Sequence, residues 1–135
     1  MGKNDTQVFD LNFEKKVHCE WHEDTPTLHH AVIEGGGITP ENLEHAQVID
    51  KLEGFCKKLN LSIVQKLDHQ FTPYGKSIVF VLEESHIAIH TWPEKGYIHV
   101  DIVTCSKREE NSAKLVAEFN KIFNPSYTRL LKLRY

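Results

Sequence analysis

Alternating apolar and polar side chains predict β-strands along much of this chain. The alternation is clearest in two neighbouring segments, 86–92 and 98–105. Residues 93–96 link these segments as a short loop, so we expect them to pair as a β-hairpin. The same alternation, together with runs of β-branched residues, predicts further strands at 28–33, 61–67, 77–83 and 127–135.

Two segments have the spacing of amphipathic helices. Residues 40–59 carry an apolar side chain every three or four positions, and Thr39 followed by Pro40 is a favourable helix start. Residues 109–123 repeat the pattern, and Pro125 ends it. The predicted order is a strand, a helix, four strands, a helix and a strand. Such a mostly antiparallel sheet, with two helices on one face, is an α+β two-layer sandwich.

The first 26 residues form a segment of their own, interpreted as an N-terminal extension or a hairpin. Apolar side chains alternate on both sides of a polar turn at 14–16, and Pro26 ends the segment. Residues 27–135 contain no repeat or linker. We therefore expect residues 27–135 to form a single domain.

Composition narrows the class of protein. The 135 residues are 40% hydrophobic and 26% charged with a formal net charge of −3, which is ordinary for a globular domain. This weakly acidic chain lacks the basic surface expected of a nucleic-acid binder. The longest apolar run, 78–82, is too short to span a membrane, and no signal peptide is predicted. Three cysteines without a CxxC pair argue against disulfides, so a cytoplasmic protein is expected.

Reactive side chains are concentrated between residues 83 and 94, with Cys105 in the partner strand. One interpretation is purely structural, since histidines on exposed strand faces and buried free cysteines are common. A second is a metal site, because His86 and His90 have the spacing of a helical zinc pair. On a strand, however, residues four apart lie about 13 Å from each other, so no metal site is predicted.

Two catalytic interpretations stand beside these. Cys105 and His90 lie on adjacent predicted strands and could form a nucleophile pair, although the sequence marks no oxyanion hole. Alternatively, the Ser85 hydroxyl attacks the Glu84 carbonyl and forms an ester, which elimination and hydrolysis convert into a pyruvoyl group and ammonia. That reaction needs a strained serine, oxyanion donors and a base. On a straight strand Ser85 and His90 face opposite sides, so they cooperate only if the chain bends near Ser85 or if cleavage frees the serine.

Three motifs resemble one known family. The segments FTPYGKS (71–77), ESHIAIHTWPE (84–94) and DIVTC (101–105) are similar to those of the prokaryotic S-adenosylmethionine decarboxylase proenzymes. These are small pyruvoyl-dependent enzymes of polyamine synthesis. The resemblance implies self-cleavage into residues 1–84 and 85–135, and a pyruvoyl group that forms a Schiff base with the substrate amine. It also implies a homodimer in which the partner supplies some pocket residues.

The resemblance further implies roles for individual residues. Ser85 becomes the pyruvoyl group, and Glu84 ends the other chain. Ser77 and His90 match the processing residues, with His90 taking the proton in the elimination. Cys105 matches the residue that protonates the substrate carbon after CO2 leaves. The residues that match substrate contacts are Phe71 and Trp92 for adenine, Glu94 for the ribose hydroxyls and Ile87 for the pocket wall.

The chain departs from the family pattern at a few places. Ile78 and Ser106 stand where Gly is usual, and the N-terminal segment and the last strand also differ. The expected activity is decarboxylation of S-adenosylmethionine for spermidine synthesis. The alternatives are a pyruvoyl-dependent ornithine or arginine decarboxylase of the same family, and a binding subunit that keeps the fold without processing.

Overall fold

The computed structural model describes residues 4–12, 28–105 and 111–134. It contains seven strands and two α-helices, and from residue 29 onward they follow the order that the sequence predicts. Short 3-10 helices at Pro40–Leu43 and Pro93–Lys95 come before the first α-helix and the sixth strand. The elements are β1 (Asp5–Asn12), β2 (His29–Gly36), α1 (His45–Lys58), β3 (Ile63–Gln70), β4 (Lys76–Leu82), β5 (Ser85–Trp92), β6 (Tyr97–Thr104), α2 (Ser112–Phe123) and β7 (Tyr127–Arg134).

All seven strands belong to one sheet with the order β1-β7-β2-β6-β5-β4-β3. Every neighbouring pair is antiparallel except β1 and β7, which run parallel. The apolar side chains of the two helices and of one sheet face form a single buried core. We call this side of the sheet the helix face and the opposite side the open face. The predicted α+β class is confirmed.

The core explains why these segments fold as they do. On β5, Ile87 and Ile89 are fully buried on the helix face, while His86 and His90 alternate with them on the open face. From α2, Phe119 and Phe123 fill the space above the sheet. Burying each such large side chain contributes about 1.5–3 kcal/mol to the free energy of unfolding.

Two predicted boundaries are wrong for physical reasons. Glu44 has extended backbone angles, so the predicted helix 40–59 divides into a 3-10 turn and a helix that begins at His45. β2 continues through Gly35 and Gly36, beyond the predicted strand end at 33. The Phe119 and Tyr127 rings pack so closely against these two glycines that a Cβ would collide with them. The glycines therefore mark a close approach rather than a turn.

The N-terminal segment contributes the edge strand β1. Asn4 donates through Nδ2 to the carbonyl of Pro125 and to Thr128 Oγ1, both at 3.0 Å, and Asp10 pairs with Arg134 at 2.9 Å. The second arm of the predicted hairpin, at 17–21, lies outside the described residues, as do the first residues of the predicted helix 109–123. Neither helix in the described ranges is long and apolar enough to cross a membrane.

Candidate active site

The predicted cleavage bond lies at the tight turn between β4 and β5. Glu83 and Glu84 form this turn, and Leu82 pairs with Ser85 across it. Ser85 has a φ of 145°, a conformation in which Cβ crowds the backbone. Strain of this kind costs about 1–3 kcal/mol, and breaking the bond before Ser85 would release it.

The carbonyl oxygen of Glu84 has a backbone donor. The N–H of Cys105, the residue that follows β6, donates to this oxygen at 2.7 Å. A donor at this distance is placed to stabilise negative charge on the oxygen when its carbonyl carbon is attacked. The structure therefore supplies an oxyanion donor that the sequence does not mark. The Cys105 side chain is exposed beside it.

The side chains of Ser85 and His90 do not pair with each other, because each is hydrogen-bonded to a different residue. The Ser85 hydroxyl lies 3.3 Å from Nδ1 of its neighbour His86. His90 instead places Nδ1 2.8 Å from the Ser77 hydroxyl, because Ser77 and His90 are direct partners across β4 and β5. The two predicted processing residues thus contact each other, but they do not contact Ser85.

The distance along β5 explains this separation. Ser85 and His90 are five residues apart on the strand, which is about 16 Å at a rise of about 3.3 Å per residue. His90 pairs with His99 on β6, and Cys105 lies six residues further on, about 20 Å away by the same rise. The alternative of a Cys105–His90 nucleophile pair is therefore wrong for this protomer.

All of the predicted site residues except Ile87 consequently fall into two groups at opposite ends of β5. The cleavage group is at the start of the strand and consists of the predicted Glu84, Ser85 and Cys105 together with His86. The histidine group is at its end and consists of Phe71, Ser77, His90, Trp92 and Glu94. Phe71 joins it through the ring of His69, 4.6 Å away, since His69 is the β3 partner of Ser77.

The histidine group carries exposed aromatic rings. Phe71 is 48% exposed and Trp92 is 37% exposed, so each ring presents a face that a ligand can cover. The Trp92 ring centroid lies 6.2 Å from that of His90 and 5.4 Å from that of Tyr97. These rings suit a flat or cationic ligand, since aromatic faces stack on bases and attract positive charge.

A cavity of about 440 Å³ lies next to Glu94, and of the histidine group only Glu94 lines it. Glu94 is an exposed residue on its wall. Thr91 lines the cavity as well, and its buried hydroxyl has no hydrogen-bond partner among the residues that the structure describes. Apolar walls come from Leu43 and Pro93, among others. A largely apolar cavity of this size with a few polar groups is typical of small-molecule sites.

A fixed carboxylate lies on the open face next to the histidine group. Glu34 on β2 is 8% exposed and accepts hydrogen bonds from the Tyr97 hydroxyl and from Arg129 Nε. Burial alone would raise the pKa of Glu34, but these hydrogen bonds and the Arg129 and His99 charges together hold it below its ordinary value. Burial and the hydrogen bond to Glu34 raise the pKa of Tyr97. At neutral pH Glu34 is thus an anion and Tyr97 a donor.

The sequence analysis assigns no role to Tyr97, His99 or Arg129. The predicted hairpin could have indicated the first two, because its loop pairs Trp92 with Tyr97 and hence His90 with His99. Arg129 reaches Glu34 from β7, 95 residues along the chain. No local pattern predicts so distant a contact.

The predicted pocket-wall residue Ile87 joins neither group, because its side chain is 1% exposed in the core on the helix face. In this protomer it therefore does not form a pocket wall.

Among the described residues, no three His, Cys, Asp or Glu side chains lie close enough together to hold a metal ion. Burial raises the pKa of the Cys56 thiol to about 12, so this thiol stays protonated at neutral pH.

The chain is a small α+β domain that carries two groups of reactive side chains at opposite ends of one strand. The sequence pattern described as S-adenosylmethionine decarboxylase matches residues 29–134. The chain belongs to the S-adenosylmethionine decarboxylase family. The resemblance predicted from the three motifs is confirmed.

Individual relatives and a solved structure support the same family membership. Over 82 residues the chain is 43% identical to the S-adenosylmethionine decarboxylase proenzyme of Sulfurihydrogenibium sp. (strain YO3AOP1), covering 60% of this chain and 62% of that protein. It is 38% identical over 97 residues to the proenzyme of Persephonella marina (strain DSM 14350 / EX-H1), covering 71% and 72%. The crystal structure of the adenosylmethionine decarboxylase from Aquifex aeolicus VF5 superposes with a TM-score of 0.70 at 28% identity, covering 80% of this chain and 89% of that chain.

Proposed function

We propose that the protein is a self-processing, pyruvoyl-dependent S-adenosylmethionine decarboxylase that cleaves its own chain between Glu84 and Ser85. The observation that carries this proposal is the strained Ser85, whose preceding carbonyl accepts the Cys105 N–H at 2.7 Å. Family membership supports S-adenosylmethionine as the substrate and does not favour ornithine or arginine. The products are decarboxylated S-adenosylmethionine, a precursor for spermidine, and CO2.

Processing starts with attack of the Ser85 hydroxyl on the carbonyl carbon of Glu84. The Cys105 N–H stabilises the negative oxygen that forms, and the C–N bond then breaks to give an ester and a free amine on residue 85. A base removes the α-proton of residue 85, and the main-chain carboxylate of Glu84 leaves from the β-carbon of residue 85. Water hydrolyses the resulting dehydroalanine, and ammonia departs from a new N-terminal pyruvoyl group.

The residues present fit such a group, because Ser85 itself is its source and His86 and Cys105 lie beside it. The ketone of a pyruvoyl group supplies an electron sink for the pair of electrons left by CO2. Cys105 would supply the proton to the substrate carbon. Its backbone bond to Glu84 supports this role, since it fixes residue 105 next to residue 85.

The separation of the two groups supports a role for a second copy of the chain. A base about 16 Å away along a strand cannot reach the α-proton of Ser85 in its own protomer. We therefore assign the Ser77–His90 pair to the Ser85 of a partner protomer. Each of the two sites in a homodimer would then combine the cleavage group of one chain with the histidine group of the other.

The open face is the surface through which such a dimer would form. In the described ranges both helices pack on the opposite side of the sheet. Apolar side chains on the open face remain accessible, with Phe9 at 42%, Val81 at 43% and Leu67 at 72% exposure. Both groups border this face, so stacking two open faces would cover the apolar side chains and bring the groups of different chains together.

The histidine group supports an adenosyl sulfonium as the ligand. The exposed faces of Phe71 and Trp92 can stack on adenine or attract the sulfonium charge. The Glu94 carboxylate, on the wall of the adjoining cavity, can accept hydrogen bonds from ribose hydroxyls. A free ornithine or arginine also carries a positive charge for these rings, but it has neither a base to stack on them nor ribose hydroxyls for Glu94.

The mass of the purified protein tests the proposal. We expect two polypeptides, residues 1–84 and 85–135, with a carbonyl on the shorter one that borohydride reduces. Ser85→Ala should leave a single uncut chain, while Ser126→Ala, at an exposed serine outside both groups, should be cut like the wild type. The cut protein should release CO2 from carboxyl-labelled S-adenosylmethionine and not from ornithine or arginine.

An uncut wild-type chain with an ordinary Ser85 would overturn the proposal and favour a binding subunit. A cut chain that releases CO2 only from a basic amino acid would overturn the substrate assignment alone.

A further inference from the structure

One row of side chains on the open face is almost entirely apolar. We call it the Ala88 row, and its members are direct cross-strand partners, one from each of the seven strands. Six of them, in sheet order, are Phe9, Leu131, Val32, Ala88, Val79 and Leu67. The seventh, Asp101 on β6, is paired with a histidine of β2 at 2.7 Å. The row therefore forms an apolar band across the sheet, and the acid within it already has a partner.

The Ala88 row lies midway between the two groups of the candidate site. Ser85 and His90 are five residues apart on β5, and the midpoint falls between Ile87 and Ala88. Ile87 is buried in the core, so Ala88 is the open-face residue closest to the midpoint. Because its side chain is only a methyl group, a second sheet has room to approach there.

The position of this midpoint restricts how two chains can combine their groups. When two open faces stack, the two-fold axis that relates them lies between the sheets and parallel to them. An axis along the strands would put Ser85 opposite the partner's Ser85. An axis across the strands reverses the direction of the second β5. It puts Ser85 opposite the partner's His90 only if it crosses β5 at the midpoint.

We propose that the protein forms a homodimer whose two-fold axis runs across the strands and passes over β5 between Ile87 and Ala88. The Ala88 row of each chain then packs on the same row of the other. The proposal rests on the proposed function, because the two groups of the site determine where the axis lies. The apolar character of the row is independent support. Strand register determines which side chains share the row, and a surface that meets its own copy at a two-fold axis must be complementary to itself.

This arrangement sets the distances between residues of the two chains. Stacked sheets lie about 10 Å apart, and each residue along a strand adds about 3.3 Å. The two Ala88 residues would be offset along the strands by only about 3 Å, whereas the two His90 residues would be offset by about 17 Å. His86 of one chain would lie within about 3 Å, measured along the strands, of the level of the partner's His90.

Thiol crosslinking in the uncut Ser85→Ala chain tests this arrangement without requiring cleavage. Cys19 and Cys105 would be replaced by serine, a single new cysteine introduced, and a short thiol-to-thiol crosslinker added before a denaturing gel. Ala88→Cys should lose most of its single-chain band to a crosslinked dimer, and His90→Cys should keep that band. Co-expressed His86→Cys and His90→Cys chains should crosslink to each other more than either does alone. Ala113→Cys, exposed on α2, should stay a single chain.

Sedimentation of a charged variant gives a second measurement. Ala88→Glu brings two carboxylates together at the axis, so its dimer should be lost, while Ala113→Glu should keep it; circular dichroism checks that both fold. If wild type is uncut but dimers and crosslinks follow this pattern, the proposed function fails and the interface stands. If wild type is cut but Ala88→Cys stays a single chain, or His90→Cys crosslinks to itself instead, the proposed axis is wrong. A chain that sediments as a monomer would overturn it as well.

Discussion

Cys105 donates its backbone N–H to the carbonyl oxygen of Glu84 at 2.7 Å, across the gap between the end of β6 and the β4–β5 turn. One residue thereby offers two separable groups to the same bond. The N–H suits the oxyanion of self-cleavage, and the thiol suits proton donation to the substrate. Different substitutions at this position should therefore affect different steps.

Replacing Cys105 by proline removes the N–H. We expect self-cleavage of Cys105→Pro to slow by about 100- to 1000-fold, the usual loss for one oxyanion donor. Cys105→Ala keeps the N–H, so it should be cut normally and yet lose most of its decarboxylation. Gel time courses and CO2 release measure the two steps, and circular dichroism checks that both variants fold. Wild-type cutting by Cys105→Pro would exclude the donor role, and wild-type turnover by Cys105→Ala would exclude the thiol.

Complementation tests whether the two groups act between protomers. Ser85→Ala and His90→Ala should each remain uncut when expressed alone. Co-expressed, they can form a heterodimer in which the Ser85 of one chain faces the His90 of the other. We expect about half of the sites in such heterodimers to be competent, and only the His90→Ala chain to be cut. Mass spectrometry of differently tagged chains identifies which one is cut. Cutting of the His90→Ala chain when it is expressed without its partner variant would contradict action in trans. The absence of cutting in the co-expressed mixture would contradict it as well.

Two glycines offer a matched pair for stability. Gly96 has a φ of 60°, and a Cβ there would lie 2.6 Å from the Ile38 carbonyl oxygen. We expect Gly96→Ala to lower the free energy of unfolding by about 1–3 kcal/mol, because backbone atoms cannot easily move aside. Gly54 lies in α1 with open space around its Cβ position, so Gly54→Ala should raise stability by about 0.5–1 kcal/mol.

Urea unfolding of both variants, in an uncut Ser85→Ala chain, measures these differences. Equal effects of the two substitutions would show that the close approach of Gly96 to Ile38 carries no constraint.

Glu34 should make stability depend on pH in a defined direction. Burial raises the pKa of Glu34 in the folded state, but the hydrogen bonds from Tyr97 and Arg129, together with the nearby charges, lower it below its ordinary value. A lowered folded-state pKa stabilises the fold above the unfolded value of 4.5, and this contribution disappears as the pH falls through the folded value. In the uncut Ser85→Ala chain, adding Glu34→Gln should therefore lower the free energy of unfolding by about 1–3 kcal/mol at pH 7. The difference should shrink steadily below about pH 4.5. Urea unfolding at several pH values checks this, and a difference that stays constant down to pH 3 would contradict it.

The sequence predicts those parts of the fold that depend on local periodicity. The alternation at 86–92 and 98–105 identifies β5, β6 and their hairpin, and with them the faces on which His90 and Ile87 lie. The divided first helix escapes prediction, because nothing in the apolar spacing of 40–59 marks Glu44 as extended. The φ of Ser85 escapes it as well, since a tight turn can place its unusual angle on any of several residues.

The candidate site is predicted as a set of residues but not as an arrangement. Motif resemblance identifies Ser77, Ser85, His90 and Cys105 together, which encourages the view that they meet in one chain. Only the strand register separates them into two groups. Glu34 and Arg129 belong to strands β2 and β7, whose pairing brings together residues nearly a hundred positions apart. Such pairing follows from packing of the whole core, which local sequence patterns do not encode.

The order of strands in the sheet has a practical consequence for a chain cut before Ser85. β2 would come from the longer piece, yet it lies between β7 and β6 of the shorter piece, and β1 closes the far side of β7. Strands of the two pieces would be hydrogen-bonded neighbours in one sheet, so an affinity tag on either terminus should retrieve both. Once denatured, they would have to find each other again, and recovery should depend on concentration, unlike that of the intact precursor.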